Sequence, residues 1–287
     1  MKTPIAFFDP NPHPSAVFAM GSAGHLALVL ILLGLLALLV HFRTQLWRLR
    51  ESRAFMAGTA AFVLTMELAA SAMGVAWASG TTYEIIPLHL CASLKIAIAV
   101  LVLLERYDLV KYLSIWAIGA GFISFANLNL AGGSFENFAF WHYLVGHYYL
   151  FLVPLFLFLT GENRYDLEHH TRSMLGLAVW SLIVFIVNWV FDTNYMYSGP
   201  HNETVVPFIP ARFMIWPLNY VSYLLVGLIL LNGIYFILRF AQDRMDRAVA
   251  PACGVLRRPS DRLDGVGAQP GSKGDALDRA WAFGRLH

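Results

Sequence analysis

Charge is what this chain has least of. Aspartate, glutamate, lysine and arginine make up 13% of its 287 residues, about half the fraction of an ordinary soluble domain. A surface so poor in charge excludes a cytosolic enzyme. The net charge of +2 implies no polyanionic partner, so no nucleic acid is expected and the placement of charge matters more than its sum. Cysteine is nearly absent as well. The two residues present, Cys91 and Cys253, build no disulfide framework and exclude a small secreted disulfide domain. No internal repeat of fixed period is visible, which argues against a transporter built from inverted halves.

What fills the chain instead is apolar: 58% hydrophobic residues, 21 of them phenylalanine, and a mean hydropathy of +0.59. This is the composition of an integral membrane protein. A helix needs about 20 mainly apolar residues to cross a hydrocarbon core about 30 Å thick. Seven stretches meet that length, near residues 23–42, 55–78, 85–104, 112–130, 138–159, 174–191 and 216–238. The first is read as a span rather than a signal peptide. Its upstream arm, Phe7-Phe8-Asp9-Pro10-Asn11-Pro12, is long and not cationic, and no small-residue cleavage site follows it.

The basic residues alternate with the spans. Arg43, Arg48, Arg50 and Arg53 follow the first, Arg106 and Lys111 the third, Arg164 and Arg172 the fifth, and Arg239, Arg244 and Arg247 the seventh. The opposite loops hold little beyond Arg212. That alternation predicts an all-α membrane protein of seven transmembrane helices, N-out and C-in. Residues 1–22 form an extracytoplasmic arm and 23–240 the membrane domain. The Arg/Pro/Gly/Asp-rich 241–287 form a disordered cytoplasmic tail that buries too little to offset its ordering entropy.

Ionisable side chains inside a bilayer are costly and by default mark function. Here they segregate toward the outer ends of the predicted spans: His25 in the first, Glu67 near the middle of the second, and His89, Cys91 and Lys95 at the start of the third. His142 and His147 lie early in the fifth, and Asn188, Asp192, Asn194 and Tyr195 at the end of the sixth. The inner halves are almost wholly Leu, Ile, Val and Phe. This predicts a polar cavity open to the outer leaflet. Glu67 and Lys95, one charge of each sign, predict an ion pair, structural in the first instance and catalytic in the second. Pro87 fits the first turn of its helix, and Pro154 should kink the fifth span.

A buried cysteine is ordinarily an inert small hydrophobe. What raises Cys91 above that is its company. Lys95 lies one turn on, on the same helix face, and His147 lies at comparable depth; a neighbouring cation or imidazole favours the thiolate. His142 and His147 point roughly 140° apart on an ideal helix, so at most one of them faces the thiol. Beside Trp141, His142 reads most simply as an interfacial belt residue.

The runs Pro87-Leu88-His89-Leu90-Cys91 and Phe140-Trp141-His142-Tyr143-Leu144-Val145-Gly146-His147, then Asn194-Tyr195-Met196-Tyr197 and Trp216-Pro217, occur in that order. Together they resemble the YwaF-like bacterial membrane proteins, over about residues 21–240. That family is similar to a eukaryotic group of transmembrane acyltransferases that remodel phospholipids with one membrane cysteine and one histidine. The resemblance implies that the cysteine is Cys91 and the histidine His147, that membrane lipids are the substrates, that no cofactor is needed, and that the protein sits in a bacterial cytoplasmic membrane. The glycine-rich start, Gly21-Ser22-Ala23-Gly24-His25, is shared in outline but has no acidic residue before the histidine.

Three functions follow as alternatives. The first is a lipid acyltransferase or transacylase acting through a Cys91 thioester with His147 as base, a lipase if water is the acceptor. Asn188, Asn194 or Lys95 would be its oxyanion donors. The second is a metal-dependent membrane hydrolase using Glu67 with His89, His142 or His147, although no two histidines have the i,i+4 spacing of paired ligands. The third is a transporter or receptor whose outer cavity binds a small polar ligand.

Overall fold

In hydrocarbon a backbone must satisfy its own amide groups, and helices do so within one segment. The computed structural model describes residues 7–8, 18–19, 21–77, 86–126, 135–200 and 209–255. Among the described residues every regular element is helical. The helices are α1 (Ala23–His41), α2 (Arg43–Glu51), α3 (Arg53–Trp77), α4 (Leu90–Leu103), α5 (Tyr107–Ala126), α6 (Phe138–Leu159), α7 (Leu167–Phe191) and α8 (Leu218–Val255). Short 3-10 turns at Tyr195–Tyr197 and Ala211–Phe213 lie between α7 and α8.

Local sequence sets the starts of three helices. Ser22 accepts from the His25 N–H at 3.1 Å ahead of α1. Asn137 accepts from the Ala139 N–H at 2.8 Å ahead of α6. Asp166 accepts from the His169 N–H at 2.8 Å ahead of α7. Each side chain satisfies a donor that the first helical turn leaves without a partner. Glu105, with φ at +57°, turns the chain between α4 and α5.

Among the described residues six helices, not the expected seven, are long and apolar enough to cross a bilayer: α1, α3, α5, α6, α7 and α8. The expected third span shrinks to α4, whose 14 residues rise about 21 Å at 1.5 Å each. Pro87 is the physical reason. It does not occupy a first helical turn; a proline disfavours the helical conformation in the residue before it, and Ile86 to His89 stay outside the helix, with His89 at the N-cap. Leu88 N–H donates to the Ile86 carbonyl at 2.7 Å, and the Ser93 hydroxyl reaches back to the Pro87 carbonyl at 2.6 Å. Pro154 does lie inside α6.

Residues Met1–Tyr235 form one compact unit and Phe236–His287 a second. In the first, Phe18, Leu28 and Leu32 pack with Phe125, Phe140 and Leu144 into an apolar core joining α1, α5 and α6. The end away from the polar motifs is held by charge. Arg50 donates to the Thr160 carbonyl at 2.7 Å and pairs with Glu162 at 3.3 Å, while Arg53 meets Glu105 at 2.6 Å. Arg50 thus supplies a cation to the C-terminal end of α6, where carbonyls lack helical partners. In the second unit the helix continues to Val255. Residues 241–255, expected to be disordered, are therefore helical; 256–287 lie outside the described residues, as does most of the N-terminal arm.

Asp166 sits in the connection between α6 and α7. Burial works against its charge, but the backbone and side-chain hydrogen bonds from His169 outweigh that and hold the carboxyl below its usual range. A carboxylate lowered in this way stabilises the fold above the unfolded pKa and loses that contribution as pH falls through the folded one. Asp166→Ala should therefore cost about 1 kcal/mol at neutral pH, and the difference from wild type should shrink in acid, as the pH falls through the lowered folded pKa. Thermal melting of both proteins in detergent at neutral and acid pH checks this.

Candidate functional site

A carboxylate in a helix bundle needs a counter-charge or donors. Glu67, near the middle of α3, has both. Its Oε1 accepts from the Lys95 ammonium of α4 and, at 2.7 Å, from Nε2 of His142 on α6. Lys95 Nζ and His142 Nε2 lie 3.4 Å apart. The ion pair expected from the sequence is present, and it is a three-helix lock rather than a two-helix one. His142 therefore does not serve as the interfacial belt residue expected of it, while its neighbour Trp141 is exposed and donates to the Phe135 carbonyl at 2.8 Å. His142 turns inward because Glu67 offers a charged acceptor.

Gly146 explains how Lys95 reaches this point. A Cβ on Gly146 would lie 2.7 Å from Lys95 Cδ and 3.0 Å from its Nζ. Only the missing side chain lets the lysine stem cross α6. The Gly-His pair of the sequence motif is therefore two devices side by side, a gap for Lys95 and an imidazole of separate use.

That imidazole belongs to His147, buried among α5 and α6. Its Nδ1 donates to the Tyr143 carbonyl one turn earlier, at 2.6 Å, and the two rings lie in tilted contact with centroids 4.1 Å apart. A carbonyl only accepts, so in the neutral ring the proton sits on Nδ1 and Nε2 keeps its lone pair. Tyr143 in turn donates its hydroxyl to the Ser124 carbonyl at 3.0 Å, and the Ser124 hydroxyl lies 4.0 Å from the Cys91 sulfur. Cys91, His147 and the residues between them thus form a connected set from α4, α5 and α6. Among the described residues no hydrogen bond joins Cys91 directly to His147.

The remaining sequence candidates do other work. His25 is fully engaged, its Nδ1 accepting from the Gly21 N–H at 2.8 Å and its Nε2 donating to the Phe125 carbonyl at 2.8 Å. It clamps α1 onto the last turn of α5. His89 stands at the N-cap position of α4 but turns its ring away from the helix: it accepts from the Met196 N–H at 3.3 Å and faces the rings of Tyr195 and Tyr197 at 5.3 and 5.7 Å. Asn188, expected as an oxyanion donor, has both of its N–H groups committed, to the Tyr195 carbonyl at 2.9 Å and the Ser198 hydroxyl at 3.1 Å. Its Oδ1 accepts from Thr193 and from the Tyr195 N–H, each at 2.9 Å. That amide ties the chain after α7 into a knot, so it has no donor left for a substrate. Buried Tyr195 is part of the same knot, and Asn194 accepts from the Gly199 N–H at 3.0 Å. Asp192 is exposed and ends α7 in the left-handed region, φ 53°.

Sequence reasoning missed Ser124, Tyr143 and the role of Gly146. Ser124 stands as a lone hydroxyl in the apolar run Gly121-Phe122-Ile123-Ser124-Phe125, a signal available in principle. Among the described residues no three His, Cys, Asp or Glu side chains gather as a metal ion would require. The nearest candidate, Glu67 with His142, shares its space with the Lys95 ammonium, a poor neighbour for a cation.

Comparison with known proteins adds one finding. The model of the TMEM164 family matches residues 19–235, which takes in every candidate residue described above. No curated protein and no solved structure matches the chain.

The lock should show itself in stability. Glu67→Gln leaves a buried ammonium without its counter-charge and should cost about 3–5 kcal/mol. Adding Lys95→Met to it should recover most of the loss, because the unpaired charge is gone. Gly146→Ala, which forces the lysine aside, should cost about 1–3 kcal/mol. Melting temperatures of these variants and of Lys95→Met alone in detergent check this, and purely additive losses in the double variant would refute the lock.

Proposed function

Because this chain belongs to the TMEM164 family, matched over residues 19–235, we propose that it is a multi-pass membrane enzyme that transfers acyl groups between lipids through a Cys91 thioester. The observation that carries the reading is the connected set from Cys91 through Ser124 and Tyr143 to His147, with Nε2 of His147 left as a free base. The ordered motifs shared with the YwaF-like proteins, and through them with the cysteine- and histidine-dependent acyltransferases, support the same pair of residues.

In this mechanism His147 Nε2 takes the Cys91 proton and the sulfur attacks the ester carbonyl of a phospholipid. The resulting oxyanion collapses, the ester C–O bond breaks, and His147 returns the proton to the departing lysolipid oxygen. An acceptor alcohol then gives its proton to Nε2 and attacks the thioester, and the thiol is restored. With water as acceptor the product is a fatty acid. Since Asn188 has no donor to spare, oxyanion stabilisation falls to Asn194 or Lys95 among the original candidates. Apolar helix faces such as those of Leu26, Leu30 and Leu33, exposed on α1, suit an acyl-chain environment. Arg50 and Arg53 at the opposite end of the bundle favour the cytoplasmic side for that end, which leaves the site toward the outer leaflet of a bacterial cytoplasmic membrane.

Intact mass spectrometry after exposure to phospholipid vesicles tests the reading. Wild type should gain one acyl chain, Cys91→Ala none, and His147→Gln should slow transfer about 100- to 10,000-fold. Full acyl transfer by Cys91→Ser would refute it.

A further inference from the structure

The last turn of α5 is fastened more firmly than a helix end requires. Its final carbonyls have no helical partners, and two side chains from other helices take them: Tyr143 of α6 donates to the Ser124 carbonyl at 3.0 Å and His25 of α1 to the Phe125 carbonyl at 2.8 Å. What these clamps hold in place is the Ser124 hydroxyl, 4.0 Å from the Cys91 sulfur. That hydroxyl has one proton, and it is given to the Ala120 carbonyl at 2.8 Å. The oxygen therefore faces the thiol with its lone pairs, and in the resting protein the S–H donates to it.

We propose that Ser124 is the positioning residue of the nucleophile, accepting from the Cys91 thiol at rest and donating its own hydroxyl to the sulfur once the thiol proton has left. The inference rests on the reading of Cys91 as the nucleophile. The thiol proton goes to His147 Nε2, the sulfur keeps the bonding pair, and Ser124 keeps its proton throughout. Only the hydroxyl torsion changes. The bond given up, to Ala120, costs little, because that carbonyl lies inside α5 and also accepts from the backbone N–H one turn on. The gain is a hydrogen bond to a charged acceptor, stronger than one between neutral groups. Ser124 does not react with substrate; it sets where the sulfur points and how readily it ionises.

Alkylation of Cys91 by iodoacetamide, followed against pH in the full-length protein and mapped by peptide mass to separate it from Cys253, tests this without any acyl transfer. Ser124→Ala should displace the rate profile to higher pH by about one unit, a loss of about tenfold in rate below the midpoint. Ser124→Thr, which keeps the hydroxyl, should restore the wild-type profile. Superimposable wild-type and Ser124→Ala profiles would overturn the proposal. So would a Ser124→Thr profile displaced as far as that of Ser124→Ala, which would indicate a loosened helix end, or a Cys91 that reacts at no pH. A displaced profile in a protein that forms no acyl adduct would uphold Ser124 while sinking the acyl-transfer reading.

Discussion

A single buried carboxylate organises the polar end of this protein. Glu67 brings a negative charge into a bundle of apolar helices, where an uncompensated charge is not tolerated. Lys95 and His142 answer it from two other helices. Neither helix is free to rotate or slide without breaking a charged contact, so the faces of α3, α4 and α6 are set together. The position of Cys91 follows from that, one turn before Lys95 on α4. His147 follows as well, one residue after the glycine that makes room for the lysine stem. Cys91 and His147 are thus placed by an ion-pair lock that neither of them belongs to.

Short α4 suits this arrangement. Among its neighbours it alone is too short for a full crossing, and its N-terminal end is set by Pro87 and His89. Cys91 therefore lies within the first turn of a helix, close to where the chain leaves regular structure. His89 attaches that end to the loop after α7, and the Asn188 knot stiffens the loop. The rings of Tyr195 and Tyr197 pack beside His89 at that end.

The opposite end solves a different problem. There Arg50 and Arg53 pair with Glu162 and Glu105 and cover a helix C-terminus. These contacts lie near the ends of the helices, where water competes for the charges, so they hold connections rather than positions inside the bundle. The two ends divide the labour between a precise polar core and an adjustable charged collar.

Composition and periodicity were enough to establish a helical membrane protein. Apolar length dictates helices, basic residues dictate which loops belong together, and a lone carboxylate among apolar spans demands a partner. Lys95 was legible as that partner because it was the one cation available. The sequence alone could not tell that α4 is only 14 residues long, because hydropathy sums over Pro87 and His89 without registering that they lie outside the helix. Nor could it give every histidine its duty. It set His147 apart from His142 but took His142 for an interfacial residue, whereas His25 clamps α5, His89 accepts from the loop after α7, His142 joins the ion pair and His147 keeps a free Nε2. That assignment depends on which carbonyl or carboxylate lies across the helix interface, and distances of this kind are made only when the helices pack.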